Sequence, residues 1–181
     1  MRSRPPRDAS ATPAGRLDEA GLHGIVGYQL AQATITTDRV FRQLVGEPFD
    51  LRPVEYTVMT LIQENPGTSS ARLAQALAVT PPNITMWLDR LVQRGYAQRS
   101  PSPTDGRAQV LALTPEGARV AGQATQRLLE GEREALENLT PGERAILVEL
   151  LHKVATARPA AGAPASRPAA AAKPRKSGRR S

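Results

Sequence analysis

Cysteine is absent from the 181 residues, which excludes disulfides, thiolate metal sites and cysteine-based peroxide sensing. The two histidines, His23 and His152, stand far apart in the sequence and cannot make a zinc site unaided. No glycine-rich phosphate loop, no GxSxG and no metal-ligand cluster occurs, so an enzyme is a poor reading and no cofactor is expected. No stretch approaches the roughly 18 apolar residues needed to span a bilayer. The basic N-terminus, MRSRPPRDASATPAGR, lacks the apolar segment of a secretory signal. A soluble cytoplasmic protein with no membrane partner is expected.

What the chain does have is positive charge, and its location matters more than its total of +7. Residues 1–16 hold four arginines against Asp8, a net +3. Residues 158–181 hold seven cations and no acid, among eight alanines and four prolines. The part between, 17–157, has 13 basic and 16 acidic residues, a net −3. The high pI therefore belongs to the ends, both of which read as disordered because they carry too little apolar surface to offset ordering entropy. The C-terminal segment suits nonspecific DNA binding and a solubilising extension about equally. The middle is long enough for one compact domain or an intertwined subunit.

Within 17–157 the helix starts are legible. Thr80-Pro81, Thr114-Pro115 and Thr140-Pro141 each place a capping hydroxyl before a proline at the first helical position, and Glu143 gives Thr140 capping-box spacing. Pro53 opens another helix, stopped after Asn65 by Pro66-Gly67. An amphipathic helix is expected over about 17–45, ended by Gly46 and Pro48. Ser70–Leu77 makes a short helix, Ala78-Val79-Thr80 a tight turn, and Pro81 to about Arg94 a second helix capped by Gly95. The buried stripe expected on this second helix is Ile84, Leu88, Leu91 and Val92. Extended pieces at Tyr96–Ser100 and Gln109–Leu113 flank a polar Pro/Asp/Gly loop, which is a β-hairpin. The expected fold is mainly α with a small β-hairpin, a winged helix-turn-helix with the helix-turn-helix at about 70–94 and the wing at about 96–113.

The wording of residues 51–117 resembles the multiple-antibiotic-resistance regulator (MarR) family of bacterial transcription factors. Leu51-Arg52-Pro53-Val54-Glu55-Tyr56 is similar to that family's second helix, and Arg72-Leu73-Ala74 with Leu77-Ala78-Val79-Thr80-Pro81 to its helix-turn-helix. Leu88-Asp89-Arg90-Leu91-Val92-Gln93-Arg94-Gly95-Tyr96 resembles the end of its recognition helix. Asp105-Gly106-Arg107 and Leu113-Thr114-Pro115-Glu116-Gly117 resemble its wing tip and fifth helix. The resemblance implies a homodimer intertwined through helices at about 17–45 and 115–157, often with a pocket for an anionic or phenolic ligand.

The charge distribution stands independently beside that resemblance. Residues 70–113 hold five arginines against Asp89 and Asp105, a local +3, while 17–69 is −4 and 114–157 is −2. Positive charge in the middle of the chain lies where a helix and a hairpin would meet phosphates. Candidate DNA contacts are Thr80, Pro82, Asn83, Thr85, Met86, Arg90, Arg94, Arg99 and Arg107. Thr80 can serve as cap and phosphate donor together, and Asn or Thr can read base edges. Asp89 cannot touch a phosphate and is expected to orient an arginine. Met86 departs from the family pattern, where the resemblance leads one to expect Arg, but Met can touch a thymine methyl group. Arg107 on the hairpin tip suits a narrow minor groove, with Asp105 holding its guanidinium or the loop amides. An exposed, solvated arginine is the blander alternative.

His23, Tyr28 and Trp87 are candidates for an effector pocket, although a histidine between helices and a tryptophan covering the core are the commoner roles. Glu130, Glu132, Glu134 and Glu137 read as a solvated helix face. The function these residues imply is sequence-specific binding of a pseudo-palindromic double-stranded DNA operator by a homodimeric, nucleoid-associated repressor. A small aromatic or anionic effector would release it. Two alternatives come from other classes. One is an architectural protein that coats DNA through its basic C-terminal tail, and the other is an effector-binding module that no longer reads DNA.

Overall fold

The computed structural model describes residues 11–102 and 109–157. The chain divides into two compact units, one up to Thr140 and one from Pro141. In the first, residues 11–18 form a turn closed by a bridge between Ala11 and Asp18, with the Thr12 amide donating to the Leu17 carbonyl at 2.8 Å. The segment expected to lack structure as far as residue 16 thus contributes a hydrogen-bonded turn from residue 11 onward.

The single helix expected over about 17–45 is broken and extended. A 3-10 turn, Ala20–Gly24, ends at an extended Ile25 before α1, Val26–Phe41. Gly21, Gly24 and Gly27 fall in this stretch, and each lowers helix propensity by about 1 kcal/mol relative to alanine. At its other end the helical backbone runs through both expected stops. A π turn, Arg42–Gly46, leads into α2, Glu47–Phe49, and the run ends at Asp50 in the left-handed region (φ 48°, ψ 45°). Proline in a helix lacks an N–H and clashes with the carbonyl four residues back. The widened turn before Pro48 displaces that carbonyl, so proline is accommodated rather than terminating.

Helix α3, Pro53–Glu64, starts with the Arg52 amide donating to Glu55 Oε2 at 2.9 Å. Helix α4, Ser70–Leu77, is capped by Ser69 Oγ, which accepts from the Arg72 amide at 3.3 Å. Ala78 in the left-handed region (φ 53°) turns the chain into α5, Pro81–Gln93. Thr80 occupies the cap position of α5, but its hydroxyl accepts no hydrogen bond from the helix. The reason is local: Pro82 has no N–H to donate, and the Asn83 amide is taken by the Thr80 carbonyl at 3.1 Å. On α5, Ile84, Leu88 and Leu91 are buried, whereas Val92 is 36% exposed. Eight residues carry Val92 about 80° round the helix from Ile84, to the edge of the stripe. Gly95 (φ 70°) closes the helix.

The wing strands are β1, Ala97–Pro101, one residue later than expected, and β2, Gln109–Leu113. They pair antiparallel, with Ala97 opposite Leu113 and Arg99 opposite Leu111. β2 is also tied to the turn before α4. The Leu111 amide donates to the Thr68 carbonyl at 2.9 Å, and the Gly67 amide to the Leu111 carbonyl at 3.0 Å. The wing base is therefore fixed to the helix-turn-helix by backbone bonds as well as by the buried Leu111 side chain.

Helix α6, Pro115–Ala135, begins at Thr114, whose hydroxyl accepts from the Gly117 amide at 3.0 Å and donates to the Gly95 carbonyl at 2.6 Å. It buries Val120, Ala121 and Ala124 in one core with Val45, Leu51, Val58, Met59, Ile62 and the α5 stripe. A hydrogen bond of 2.9 Å between Tyr56 Oη and Thr125 Oγ1 joins α3 to α6. The second unit holds α7, Pro141–Thr156, on which no residue is buried and Ile146, Val148, Leu150 and Val154 are all more than half exposed.

Gly117 is where α6 and the wing base approach most closely. A Cβ there would lie 1.9 Å from the Tyr96 carbonyl oxygen, which also accepts from the Thr114 amide. Gly117→Ala should cost about 1–3 kcal/mol, the range for overpacking against backbone that cannot yield. Gly122→Ala on the same helix meets nothing within 4 Å and should stabilise by about 0.5–1 kcal/mol. Thermal denaturation of both variants tests the contrast, and equal melting temperatures would contradict it.

Candidate nucleic-acid interface

The outer surface of α5 is an open groove of about 770 Å³ formed by Pro81, Pro82, Thr85, Met86, Asp89, Arg90 and Gln93. Met86 stands 53% exposed in it, an apolar side chain facing outward from a helix whose inner face is fully buried. Thr80 and Asn83 are exposed beside it at the helix start. Thr85 also lines a smaller cleft of about 190 Å³ with Ser70, Arg99 and Gln109. Helix α5 and the wing base thus share one surface. Of the expected contacts, Thr80, Pro82, Asn83, Thr85, Met86, Arg90 and Arg99 fall together on it; Arg107 and Asp105 lie outside the described residues.

The arginines of this region are held in internal pairs. Arg94 donates to the Phe49 carbonyl at 2.8 Å and to the Asp50 carbonyl, and its guanidinium stacks 4.8 Å from the centre of the Tyr96 ring. Arg90 Nη2 lies 3.2 Å from Asp50 Oδ2, and its Nε lies 3.3 Å from Oε1 of the buried Glu55. Two arginines one turn apart therefore grip the corner between α2 and α3. They satisfy the carbonyls that the left-handed Asp50 leaves at the end of α2. Arg90 and Arg94, expected at the DNA, also fix the attitude of α5 through these bonds. Arg99 donates to Asp89 Oδ1 at 2.6 Å, so Asp89 does orient an arginine, the one on the first wing strand.

A helix-turn-helix with an exposed second helix, tied to a two-stranded wing and flanked in sequence by long helices, is also the frame of known regulators. The MarR family profile matches residues 51–108. The multiple antibiotic resistance protein MarR of Escherichia coli is 33% identical over 120 residues, covering 65% of this chain and 81% of that protein. The chain belongs to the MarR family.

Two solved structures of such regulators extend the likeness. A mutant MarR of E. coli complexed with operator DNA superposes with a TM-score of 0.63 at 30% identity, over 71% of this chain and 92% of that one. The transcriptional repressor CouR, bound to a 23-mer DNA duplex, superposes at 0.70 with 29% identity, over 77% and 98%. The protein is accordingly a MarR-family DNA-binding transcriptional regulator of winged-helix fold, not an enzyme.

Away from the α5 surface, the structure brings two of the three expected effector residues together. Glu19 is buried, and its carboxylate lies 2.9 Å from His23 Nδ1 and accepts from Tyr28 Oη at 3.1 Å. The hydrogen bond with His23 holds the Glu19 carboxyl below the ordinary carboxylate range, against the opposing effect of burial, with Tyr28 and Gln29 adding to the lowering. Burial and the Glu19 carboxylate raise the Tyr28 phenol. Trp87 is not part of this cluster; it is half-buried against the core of the helix-turn-helix, the covering role.

Sequence reading misses Asp50, Glu55 and Glu19. Glu55 has the spacing of an ordinary helix-capping acid, and nothing in the sequence announces that α5 folds against it. Asp50 follows a proline expected to end its helix, which hides its place at a helix C-terminus.

Arg94→Ala should destabilise the fold by about 1–3 kcal/mol, the loss expected when charge-assisted bonds to backbone carbonyls are removed from a partly exposed site. Arg94→Lys should recover little, since an ammonium cannot fork between two carbonyls and stack on a ring. Denaturant unfolding checks both; a change below about 0.5 kcal/mol would place the corner's stability elsewhere. The Glu19 cluster has an acid signature. A carboxyl lowered in the folded state stabilises fully above its unfolded value and loses that contribution as pH falls through the folded one. The Gln29 side-chain amide resonances should therefore shift below the ordinary carboxylate range in the wild type and not in Glu19→Gln.

Proposed function

We propose that this regulator is a homodimeric repressor that sets two α5 helices into successive major grooves of a pseudo-palindromic operator, about one helical turn apart. The observation that carries the reading is the outer face of α5, which is exposed along its length and braced at its flank by Arg90 and Arg94. In this assignment Thr80, Pro82, Asn83, Thr85 and Met86 meet the bases and adjacent phosphates. Arg99, oriented by Asp89, faces the backbone. Arg107, supported by Asp105, takes the minor-groove role that suits an arginine on a hairpin tip. The likeness to CouR, a transcriptional repressor bound to duplex DNA, favours repression.

Homodimerisation is supported by apolar surface bared on both units. The first exposes Leu22, Ile25, Val26 and Ile35; the second exposes Ile146, Val148, Leu150 and Val154. Each such side chain contributes about 1.5–3 kcal/mol when buried, more than a lone subunit forgoes without cause. Release by a small aromatic or anionic effector rests on the His23–Glu19–Tyr28 cluster, whose phenol and imidazole lie close to that bare N-terminal surface. Residues 17–157 form the regulatory core of this reading, flanked by basic segments at 1–16 and 158–181, in a cytoplasmic, nucleoid-associated protein.

Sedimentation should give about twice the chain mass at micromolar concentration, and a stable monomer that held a palindrome tightly would refute dimeric reading of the operator. Selection from random duplexes at physiological salt should enrich a palindrome. A chain cut after Ala157 should keep that preference while its salt dependence becomes shallower, by up to about 0.9 for each phosphate that the tail no longer neutralises. Loss of preference on truncation would favour the architectural, tail-driven alternative.

A further inference from the structure

The α5 face that enters the groove in the reading above is nearly without donors of positive charge. Arg90 is within ion-pair distance of Asp50 and Glu55, Arg94 is fastened to the Phe49 and Asp50 carbonyls, and Arg99 is on Asp89. Thr85 has spent its hydroxyl proton on the Pro81 carbonyl, at 2.9 Å, so it can accept but not donate outward. Proline supplies no N–H at positions 81 and 82. What remains outward is Met86, 53% exposed, with Gln93 in the same groove and Asn83 at the helix start. Guanine is read in the major groove mainly by bidentate arginine or lysine, whereas thymine offers a methyl group to apolar side chains.

We propose that Met86 is a specificity-determining residue that reads a thymine through its C5-methyl group, one thymine in each half-site. This rests on the assignment of α5 to the major groove. The thioether chain is unbranched and polarisable, and it settles against a methyl group with little demand on geometry. Pro82 and Thr85 line the same groove beside it. With no guanidinium on this face free of an internal ion pair among the described residues, a G·C pair at that step meets an apolar side chain and leaves its acceptors unpaired. The half-site therefore carries A·T beneath Met86, and Asn83 at the helix start is placed to read an adjacent adenine through N6 and N7.

The test uses the full chain and the duplex that it selects from a random library at physiological salt. Each thymine of that duplex is replaced singly by deoxyuridine, which removes the methyl group and leaves the pairing edge intact. One thymine per half-site should weaken wild-type binding about fourfold, the equivalent of ~0.8 kcal/mol for one buried methyl-sized group. Met86→Ala should bind the thymine and deoxyuridine duplexes equally, and Met86→Leu should restore most of the difference. Because Met86 is exposed, the circular dichroism and melting of the Met86→Ala protein should match the wild type. If a palindrome is selected but no thymine methyl matters, or if Met86→Ala keeps the full methyl effect, the Met86 assignment is overturned while α5 still reads the groove. If no sequence is enriched, the operator reading fails and this assignment fails with it.

Discussion

The attitude of α5 depends on one corner. At Asp50 the chain leaves a helix in the left-handed region, and the carbonyls stranded there are met by the guanidinium of Arg94. Arg90, one turn earlier, reaches the same aspartate and the buried Glu55. A buried carboxylate without a partner costs several kcal/mol, so Glu55 constrains where Arg90 can go. Arg90 in turn constrains the rotation of α5 about its own axis. The helix that presents Met86 outward is thus oriented by charges on its flank, not by its apolar stripe alone. An apolar stripe tolerates rotation and slippage; a forked guanidinium on two named carbonyls does not.

A second constraint acts at the wing. Tyr96 closes against Gly117 so tightly that only hydrogen fits, and the same carbonyl receives the Thr114 amide. The start of α6, the end of α5 and the first wing strand are therefore one rigid joint. The bond from Arg99 to Asp89 adds a side-chain strut across that joint. Any change in the inclination of α6 must be transmitted to the wing, because no soft segment lies between Thr114 and Gly117. Since α1 packs on α6, the N-terminal cluster of Glu19, His23 and Tyr28 lies on the helical layer through which such a change would travel.

Much of this fold is legible in the chain, and most of what is not depends on partners distant in sequence. Elements set by local chemistry stand out: Ser70–Leu77, the α5 start at Pro81, the Gly95 stop and strand Gln109–Leu113 all follow from caps, prolines and alternation. The boundaries that differ are decided by partners distant in sequence. Pro48 does not end its helix because a π turn absorbs it, and that turn is buried by Val45 in the common core. Thr80, by contrast, does not cap with its hydroxyl for a local reason: Pro82 has no N–H and the Asn83 amide is taken by the Thr80 carbonyl. In the site, the side chains on the exposed α5 face are recognisable by their position off the stripe. For Arg90 and Arg94 a sequence displays the charge that suggests a DNA contact and hides the Asp50 corner that also uses it.

The division between charges that hold the frame and groups that face outward has a consequence for how such a surface can change. An outward residue such as Met86 is tied to nothing in the core, so replacing it alters what the face meets at little cost in stability. Arg90, Arg94, Glu55 and Asp50 cannot change singly without leaving a partner unpaired. In the proposed reading, specificity is free to drift at Pro82, Asn83, Thr85 and Met86 while the geometry that aims them is held fixed. Four outward positions on a braced helix would be enough to distinguish one short half-site from another, since a single well-made base contact discriminates by about 1–3 kcal/mol. In the same reading the basic segments at either end would add attraction for any duplex without touching that discrimination, because charge on a phosphate carries no information about the base beside it.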